Sequence, residues 1–232
     1  MTNILHPTLN AIELQSILPP NCFSCVEVIN NTNSDSEFTL YPEELALTKK
    51  MSSKRLYDFS SGRYAARKLL LNYEIEKHPI LIGENRAPIW PTGIIGSISH
   101  SENLCIAVIS DKKALNSIGV DIESSKRINA DILPLICNEE EISHIKLLEK
   151  ASNINILTNA KLIFSIKESL FKCLNPLINN WIDYKEMQVK IDLKQRTYLA
   201  TPISANQNLI DIGEISGKWF SNDYFHISSC WL

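Results

Sequence analysis

The sequence predicts an α+β fold, and two observations carry this prediction. Segments with strand character and segments with helical character come in runs, without the regular βαβ alternation of a doubly wound sheet. The stretch 53–77 has apolar residues at helical spacing and few helix breakers after Gly62, which predicts a long helix. The chain has 232 residues, which is enough for one large domain or two small ones.

The elements are predicted in order along the chain. Polar residues predict a loop at 30–37, and two Gly and two Pro predict another at 83–93. Asn138 is a good N-cap, and the three glutamates after it suit the positive end of a helix dipole. The predicted strands are 22–29, 94–99, 104–110, 117–123, 187–193, 217–220 and 224–231, and the predicted helices are 42–50, 53–77, 138–150 and 157–174.

Composition excludes some classes of function. The formal net charge of −3 argues against a polycationic nucleic-acid-binding protein, so any grip on an anionic ligand must come from a local cluster of Lys and Arg. No run approaches the roughly 18–20 apolar residues of a membrane span, and the N-terminus has no basic start followed by an apolar block. We therefore expect no membrane segment and no secretory signal, and a cytoplasmic protein.

The six cysteines are scattered, which is typical of reduced thiols in a cytoplasmic protein. Cys22 and Cys25 form a CxxC that would suit half of a zinc site or a redox pair. However, no second CxxC and no nearby Cys/His pair completes a tetrahedral site. The two thiols lie in a strand-like run, and a structural role is the favoured interpretation.

A pair of acidic residues in the predicted strand 117–123 indicates a metal site. Alternate side chains of a strand share a face, so Asp121 and Glu123 point one way while Val120 and Ile122 point toward a core. Two carboxylates so close repel each other, and a divalent cation relieves that repulsion. Oxygen ligands of this kind suit Mg²⁺. The alternative is an edge strand with a solvated acidic face.

Two further segments carry candidate site residues. Glu168 and Lys172 are four residues apart on a predicted helix and share a face. They are either a surface ion pair or a third metal ligand with a lysine that reaches a phosphate. His100 ends a predicted strand among small hydroxyl residues, where it has either a structural role or a role in binding phosphate or transferring protons.

The order of these segments resembles the 4′-phosphopantetheinyl transferase superfamily. SISHS at 97–101 is followed about twenty residues later by GVDIE at 119–123, and about forty residues further by FSIKESLFK at 164–172. The length resembles the larger surfactin-synthetase type. The stretches 55–66 and 83–91 resemble the subgroup that contains the enterobactin synthetase transferase component. Phe164 departs from the Trp of many members, which we expect to be a packing change.

The resemblance implies a fold and an activity. It implies two similar α+β halves that form a pseudo-dimer, here 1–117 and 118–232, with the active site in the cleft between them. The implied activity transfers the 4′-phosphopantetheine moiety of coenzyme A to a serine of an apo carrier protein, with Mg²⁺ as cofactor and coenzyme A as co-substrate. Peptidyl or aryl carriers of nonribosomal siderophore synthesis are the implied partners, acyl carriers also remain possible, and a monomer is expected.

The resemblance also assigns roles to residues. Asp121, Glu123 and Glu168 match the carboxylates that hold Mg²⁺. Glu141 matches a glutamate proposed as general base, although Glu139, Glu140 or a metal-bound water remain alternatives. Lys172 and Arg86 match positions that bind the pyrophosphate. Ser99 and His100 match a serine–histidine motif that holds the 3′-phosphate and pyrophosphate region. Arg63, with Lys54 or Arg55, matches the basic group that receives the adenosine 3′-phosphate.

Two other functions compete with the transferase. The same carboxylates would serve a Mg²⁺-dependent phosphohydrolase acting on a nucleotide or pyrophosphate, and a degenerate relative would bind coenzyme A or a carrier without transfer. Retention of the three acids with His100 and Lys172 argues against the second rival. Lys126 and Arg127 would meet an acidic carrier, or else they belong to an ordinary exposed loop.

Overall fold

The computed structural model describes residue 9 and residues 11–29, 40–152, 154–203 and 205–232. The loop predicted at 30–37 lies outside the described residues. The described part of the chain contains eight strands, all in antiparallel ladders. They are β1 (Cys22–Val28), β2 (Ile94–Ser101), β3 (Leu104–Asp111), β4 (Ile118–Ser124), β5 (Met187–Asp192), β6 (Thr197–Pro202), β7 (Ile215–Ser221) and β8 (Phe225–Trp231).

Seven α-helices accompany these strands in the described residues. Two of them are long: α3 packs on the first sheet, and α6 packs on the second. None of the helices in this part of the chain combines the length and the hydropathy that crossing a bilayer requires. The helices are α1 (Ala11–Ser16), α2 (Pro42–Leu45), α3 (Ser53–Leu70), α4 (Leu133–Ile136), α5 (Glu139–Ser152), α6 (Ile156–Ile178) and α7 (Gln207–Ile212).

The two sheets repeat one arrangement, and the predicted α+β fold with two similar halves is confirmed. The first sheet has the order β1-β3-β2, and the second has the order β4-β8-β7-β6-β5. In each half a strand leads to a long helix, and a later antiparallel hairpin places its second strand beside the first strand of that half. The second half carries β5 and β6 in addition. The first sheet ends at Asp111 and the second begins at Ile118, while the division of the chain into domains at 117/118 stays a prediction.

Among the described residues, three apolar cores hold these layers together. One lies between the two sheets and contains Leu104, Ile106 and Val108 of β3 with Val120 and Ile122 of β4. A second fills the space under α3, and the third fills the space under α6. β4 lies across from the buried face of β3, so the apolar side of β4 packs in this core. The acidic side of β4 faces α6.

The edge of β4 meets β2 through serine side chains. Ser97 Oγ accepts a hydrogen bond from the backbone N–H of Val120 at 3.0 Å, and Ser99 Oγ accepts one from that of Ile122 at 3.3 Å. These hydroxyls satisfy buried donors that an edge strand would otherwise leave unpaired. The serine-rich pattern of β2 therefore joins the two halves.

Most predicted elements are found, with differences at their ends. The predicted helix 53–77 ends at Leu70 and continues only as a single 3₁₀ turn at Leu71–Tyr73. Glu74 then adopts a left-handed backbone with φ 57°, which stops the helix. Strand β6 and helices α1 and α7 were not predicted, because each is only six residues long and has no marked periodicity.

The CxxC is not a paired site. Cys22 packs in the core between the sheets, whereas Cys25 packs against the core under α3, on the other face of β1. Burial raises the pKa of the Cys22 thiol to about 11 and that of Cys25 to about 12, so both stay protonated and unreactive. All six cysteines of the chain are free thiols.

Candidate active site

Four acidic residues line one cavity of about 540 Å³, namely Asp58 from α3 and three others from two distant segments. Asp121 and Glu123 reach it from β4, while Val120 and Ile122 are fully buried on the other face of the strand. Glu168 reaches the same cavity from α6. The structure therefore brings together the three carboxylates that the sequence singled out.

Gly119 allows α6 to approach β4 this closely. A Cβ atom added at this position would lie 2.0 Å from the carbonyl oxygen of Ser169 and 2.6 Å from the backbone nitrogen of Cys173. No side chain fits between strand and helix here. The backbone contact places Glu168 and Lys172, on one face of α6, beside the acidic face of β4.

Asp121 is the most enclosed of the three acids. Its Oδ1 accepts hydrogen bonds from Ser99 Oγ and from Lys172 Nζ, both at 2.8 Å. Lys172 also donates to Ser99 Oγ at 2.9 Å and to the carbonyl of Val120 at 3.2 Å. The second carboxylate oxygen, Oδ2, is buried and has no hydrogen-bond partner among the described residues. A buried oxygen of this kind is costly unless a cation or donor completes it.

Glu123 is held by a cation from α6. Lys161 Nζ lies 2.6 Å from Glu123 Oε2, and both side chains are mostly buried. Burial raises the pKa of the Glu123 carboxyl, and the nearby negative charge of Asp121 raises it further, while Lys161 opposes both effects. The two acids of β4 therefore repel each other, as the sequence pattern indicated.

Glu168 receives a hydrogen bond from the hydroxyl group of Tyr184, which lies between α6 and β5. Burial raises the pKa of the Tyr184 phenol well above its usual value, and the hydrogen bond to Glu168 adds to this effect. Tyr184 therefore keeps its proton and acts as a donor to the carboxylate.

The donor set fits a hard divalent cation, but the carboxylates are not gathered around one point. Within the described residues, no group of three or more His, Cys, Asp or Glu side chains has the arrangement of a metal site. Lys172, Lys161 and Tyr184 instead each engage one carboxylate. Mg²⁺ nevertheless prefers oxygen ligands, which all three side chains supply, and Oδ2 of Asp121 has no other partner among the described residues.

The same cavity is also lined by basic residues. Arg55, Arg63, Arg86, His100 and Lys172 all line it. Burial lowers the pKa of Arg55, and the positive charge of Arg86 lowers it further. The two guanidinium groups repel each other in the cavity, and an anion bound between them would relieve this repulsion.

Arg63 is the most buried of these basic residues. Its Nε donates to the carbonyl of Ile80 at 3.1 Å, and its guanidinium lies 3.9 Å from the centre of the Phe59 ring. Burial lowers its pKa to about 10, so the side chain stays charged at neutral pH. The ring and the carbonyl hold the guanidinium in one orientation toward the cavity.

The tautomer of His100 follows from its neighbours. Its Nε2 lies 2.9 Å from a terminal nitrogen of Arg55, and a guanidinium can only donate. Nε2 must therefore accept, which leaves the proton on Nδ1, 3.8 Å from Asp58 Oδ2. Burial lowers the pKa of His100, and this agrees with a neutral ring.

Lys54 does not line the cavity that contains Arg55, Arg63 and Arg86. It lines two shallower depressions, one of which it shares with Asp58, His100 and Glu123. Of the two residues proposed to accompany Arg63, only Arg55 lines the cavity that contains the carboxylates.

Glu141 lies away from the cavity, and its geometry does not support the predicted role of general base. Only 1% of the residue is exposed, and its carboxylate forms an ion pair with Lys167 at 2.8 Å. It also accepts from the backbone nitrogens of Asn138 and Val189, both at 2.8 Å. The residue closes a capping box with Asn138 and joins α5 to β5. Its neighbours Glu139 and Glu140 line a separate surface depression.

We expect Glu141→Gln to destabilise the fold without removing the chemistry. The change strands the charge of Lys167, which is 2% exposed, and breaking a buried ion pair costs about 3 kcal/mol or more. Urea unfolding should show this loss, while kcat of the folded enzyme stays within a few fold. The control is Glu140→Gln, which alters an exposed carboxylate one residue earlier. A hundredfold drop in kcat at unchanged stability would restore Glu141 as the base.

Sequence reasoning missed several residues of the site, among them Asp58, Lys161 and Tyr184. Lys161 had a detectable signal, because Lys161, Phe164 and Glu168 are spaced i, i+3, i+7 on one face of α6. Tyr184 had none, since it follows the helix in an irregular segment and meets Glu168 only through the fold.

Two family models match the chain. The model of the 4′-phosphopantetheinyl transferase N-terminal domain matches residues 43–110, and that of the 4′-phosphopantetheinyl transferase superfamily matches residues 117–224. Together they cover most of the chain, and the interval between them falls where the second sheet begins.

Several curated proteins are similar to the chain. The 4′-phosphopantetheinyl transferase Npt of Nocardia iowensis is 25% identical over 93% of this chain and 98% of its own length. The 4′-phosphopantetheinyl transferase PptT of Mycobacterium tuberculosis is 26% identical over 87% of this chain and 86% of its own. Enterobactin synthase component D of Salmonella typhi is 34% identical, over 53% of this chain and 49% of its own.

Proposed function

The chain belongs to the 4′-phosphopantetheinyl transferase superfamily, and on that premise we propose how its cavity works. The protein transfers the 4′-phosphopantetheine moiety of coenzyme A to a serine of an apo carrier protein, giving holo-carrier protein and 3′,5′-ADP. One observation carries this proposal: acidic and basic side chains line the same cavity, which suits a pyrophosphate held between a cation and fixed positive charges. The similarity to enterobactin synthase component D favours carriers of nonribosomal siderophore synthesis.

Mg²⁺ is the proposed cofactor, and Asp121, Glu123 and Glu168 are the residues that would hold it. When bound, it supplies positive charge beside the phosphates and the leaving group. Asp121 Oδ2 supports this assignment, because it is buried and has no hydrogen-bond partner among the described residues.

The basic residues bind and orient the diphosphate. Lys172 contacts Asp121 and Ser99 and lines the same cavity as the arginines, so its ammonium group lies beside a carboxylate within reach of a bound phosphate. Arg86 and Arg55 supply planar guanidinium groups that suit phosphate oxygens. His100, neutral with Nε2 as acceptor toward Arg55, orients that guanidinium. Arg63 supplies a further fixed charge for the 3′-phosphate.

Glu168 is the proposed acceptor of the serine proton. The carrier serine oxygen forms a bond to the phosphorus next to pantetheine, and the bond to the bridging oxygen of the pyrophosphate breaks, so that 3′,5′-ADP leaves. Glu168 is the partly exposed carboxylate of the cavity on α6, and Tyr184 holds only its Oε1. The enclosed Glu141 offers no such access.

A smaller pocket of about 70 Å³ adjoins the carboxylates and suits the pantetheine arm. Phe171, Trp181 and Glu168 line both this pocket and the larger cavity, so the two adjoin each other. The Phe171 and Trp181 rings lie 5.0 Å apart, and Leu170, Leu174 and Met187 complete a mostly apolar wall. An uncharged aliphatic chain fits here better than a phosphate.

Intact mass measurement tests the transferase activity. The purified protein is incubated with coenzyme A, Mg²⁺ and a panel of apo carriers, and each carrier should gain one phosphopantetheine. A carrier with its serine replaced by alanine is the control and should gain nothing. Turnover of coenzyme A without any carrier would favour the phosphohydrolase, and carrier binding without mass gain would favour the non-catalytic relative.

Reversing the charges of Lys126 and Arg127 is expected to weaken carrier binding. Both side chains are exposed just after β4, and Lys126 pairs with Glu102 across the two halves at 2.9 Å. We expect Lys126→Glu with Arg127→Glu to raise KM for an acidic carrier about tenfold and leave KM for coenzyme A unchanged. Steady-state kinetics with each substrate varied in turn measures this. An unchanged carrier KM would assign both residues to an ordinary surface loop.

A cytoplasmic location and a monomeric state complete the proposal. The six free thiols agree with a reducing compartment. The cavity is lined by residues of both halves of one chain, so a second copy is not needed to form it.

A further inference from the structure

One face of α6 carries a lysine that the proposed reaction does not use. Lys161 lies seven residues before Glu168, about two helical turns away on the same face, with Phe164 between them. Its side chain is only 18% exposed. It is not among the residues that line the cavity. A lysine buried to this degree needs a partner that compensates its charge.

The contacts of Lys161 lead to the candidate metal ligands. Its ammonium group lies 2.6 Å from Glu123 Oε2 and 5.0 Å from the centre of the Phe164 ring. The Phe164 ring lies 5.6 Å from that of Tyr184, whose hydroxyl donates to Glu168. The Phe164 ring thus lies between two donors, Lys161 and Tyr184, which hold Glu123 and Glu168 respectively. Neither donor lines the larger cavity itself.

We propose that Lys161 is a positioning residue that holds the Glu123 carboxylate in place for a divalent cation. This inference rests on the proposed function, because it assumes that Glu123 is a ligand. Lys161 pairs with Oε2 of Glu123, a residue that lines the cavity, which leaves Oε1 for a cation. The ring of Phe164 keeps the ammonium group from moving away.

The physical reason is the repulsion between the acids of β4. Asp121 and Glu123 share one face of the strand, and without a counter-charge Glu123 would rotate toward solvent, away from Asp121. Lys161 supplies that counter-charge on the outer oxygen. Groups that orient a metal ligand in this way change metal affinity about 10- to 100-fold when they are removed.

Binding of Mn²⁺ tests the role of Lys161. Free Mn²⁺ is measured by electron paramagnetic resonance, with the metal alone and with 3′,5′-ADP added, so the readout does not depend on turnover. We expect Lys161→Met to weaken Mn²⁺ binding about tenfold or more, and Lys161→Arg to stay within about threefold of the wild type. In the transfer assay, Lys161→Met should need correspondingly more Mg²⁺ for half-maximal rate and approach the wild-type kcat at saturating metal.

Matched variants separate positioning from general damage. Lys68→Met removes the lysine of another lysine–glutamate pair, formed with Glu27 in the first half, and should leave Mn²⁺ affinity unchanged. Lys161→Gln keeps a polar group and serves as the second variant if Lys161→Met unfolds at a lower urea concentration.

The outcomes distinguish this inference from the function on which it rests. Unchanged Mn²⁺ affinity in the Lys161 variants would overturn the positioning role. Tighter binding would overturn it as well, because Lys161 would then compete with the metal. If the wild type itself binds no Mn²⁺ in either arm, the proposed metal site fails, whereas the mass gain of the carrier still tests the transferase independently.

Discussion

Asp121→Asn is expected to lower phosphopantetheine transfer about 10³-fold while the protein stays folded. The substitution replaces the unpaired Oδ2 or its partner oxygen by an amide NH₂, which cannot bind a cation. Loss of several kcal/mol of charge stabilisation corresponds to about three powers of ten in rate. The fold survives because Lys172 keeps Ser99 Oγ and the Val120 carbonyl as acceptors. Single-turnover transfer to a carrier, followed by intact mass, measures the loss.

The chain contains a matched control for this variant in its first half. Glu27 on β1 pairs with Lys68 of α3 at 2.7 Å, just as Asp121 on β4 pairs with Lys172 of α6. Glu27→Gln therefore removes a strand carboxylate that faces a helix lysine, outside the cavity lining, and should leave the rate within about twofold. Transfer at the wild-type rate by Asp121→Asn would contradict the assigned site.

Gly119→Ala is expected to have the largest effect on stability. An added methyl group would overlap the Ser169 carbonyl and the Cys173 backbone nitrogen, and backbone atoms cannot rotate away as a side chain can. Overpacking typically costs 1–3 kcal/mol, and we expect about 3 kcal/mol or more here. For a domain of this size that lowers Tm by roughly 6–12 °C. Urea unfolding and thermal unfolding both measure the change.

The same variant should also lose activity in its folded fraction. Separation of α6 from β4 would move Glu168 and Lys172 away from Asp121, so the rate should fall at least tenfold even where the protein is fully folded. The control is Gly83→Ala, whose Cβ would meet the movable Ile89 side chain at 3.1 Å and the nearest backbone atom, the Ala87 carbonyl oxygen, only at an ordinary contact distance of 3.5 Å. Equal unfolding midpoints for Gly119→Ala and wild type would show that the helix can withdraw without loss.

Most of the fold prediction came from the spacing of apolar and polar residues along the sequence. In β4 the alternation of apolar and acidic residues correctly indicated which side packs in the apolar core, although Asp121 on the other side is buried as well. Short elements such as β6 and α7 were missed, since six residues do not establish a period. The over-long helix prediction at 53–77 failed because apolar spacing continued past the point where Glu74 takes a left-handed backbone.

Glu141 shows where sequence reasoning about the site reached its limit. An acidic residue at a helix start matches a catalytic position and a capping position equally well, because both require a carboxylate near the first turn. Only the packing of α5 against β5 and Lys167 distinguishes them, and this contact joins residues far apart in the chain. Lys54 and Arg55 posed the same problem, since adjacent residues of a helix point in different directions.

The sequence by itself determined the α+β class, the two faces of β4, and the residue types that a magnesium and diphosphate chemistry needs. These depend on local periodicity and on side-chain chemistry, which the chain carries without folding. Only the tertiary structure decided which acid is enclosed and which is reachable, and that Lys161 and Tyr184 hold the ligands. Such facts depend on distances between residues remote in sequence, and those distances are set by how closely α6 packs on Gly119.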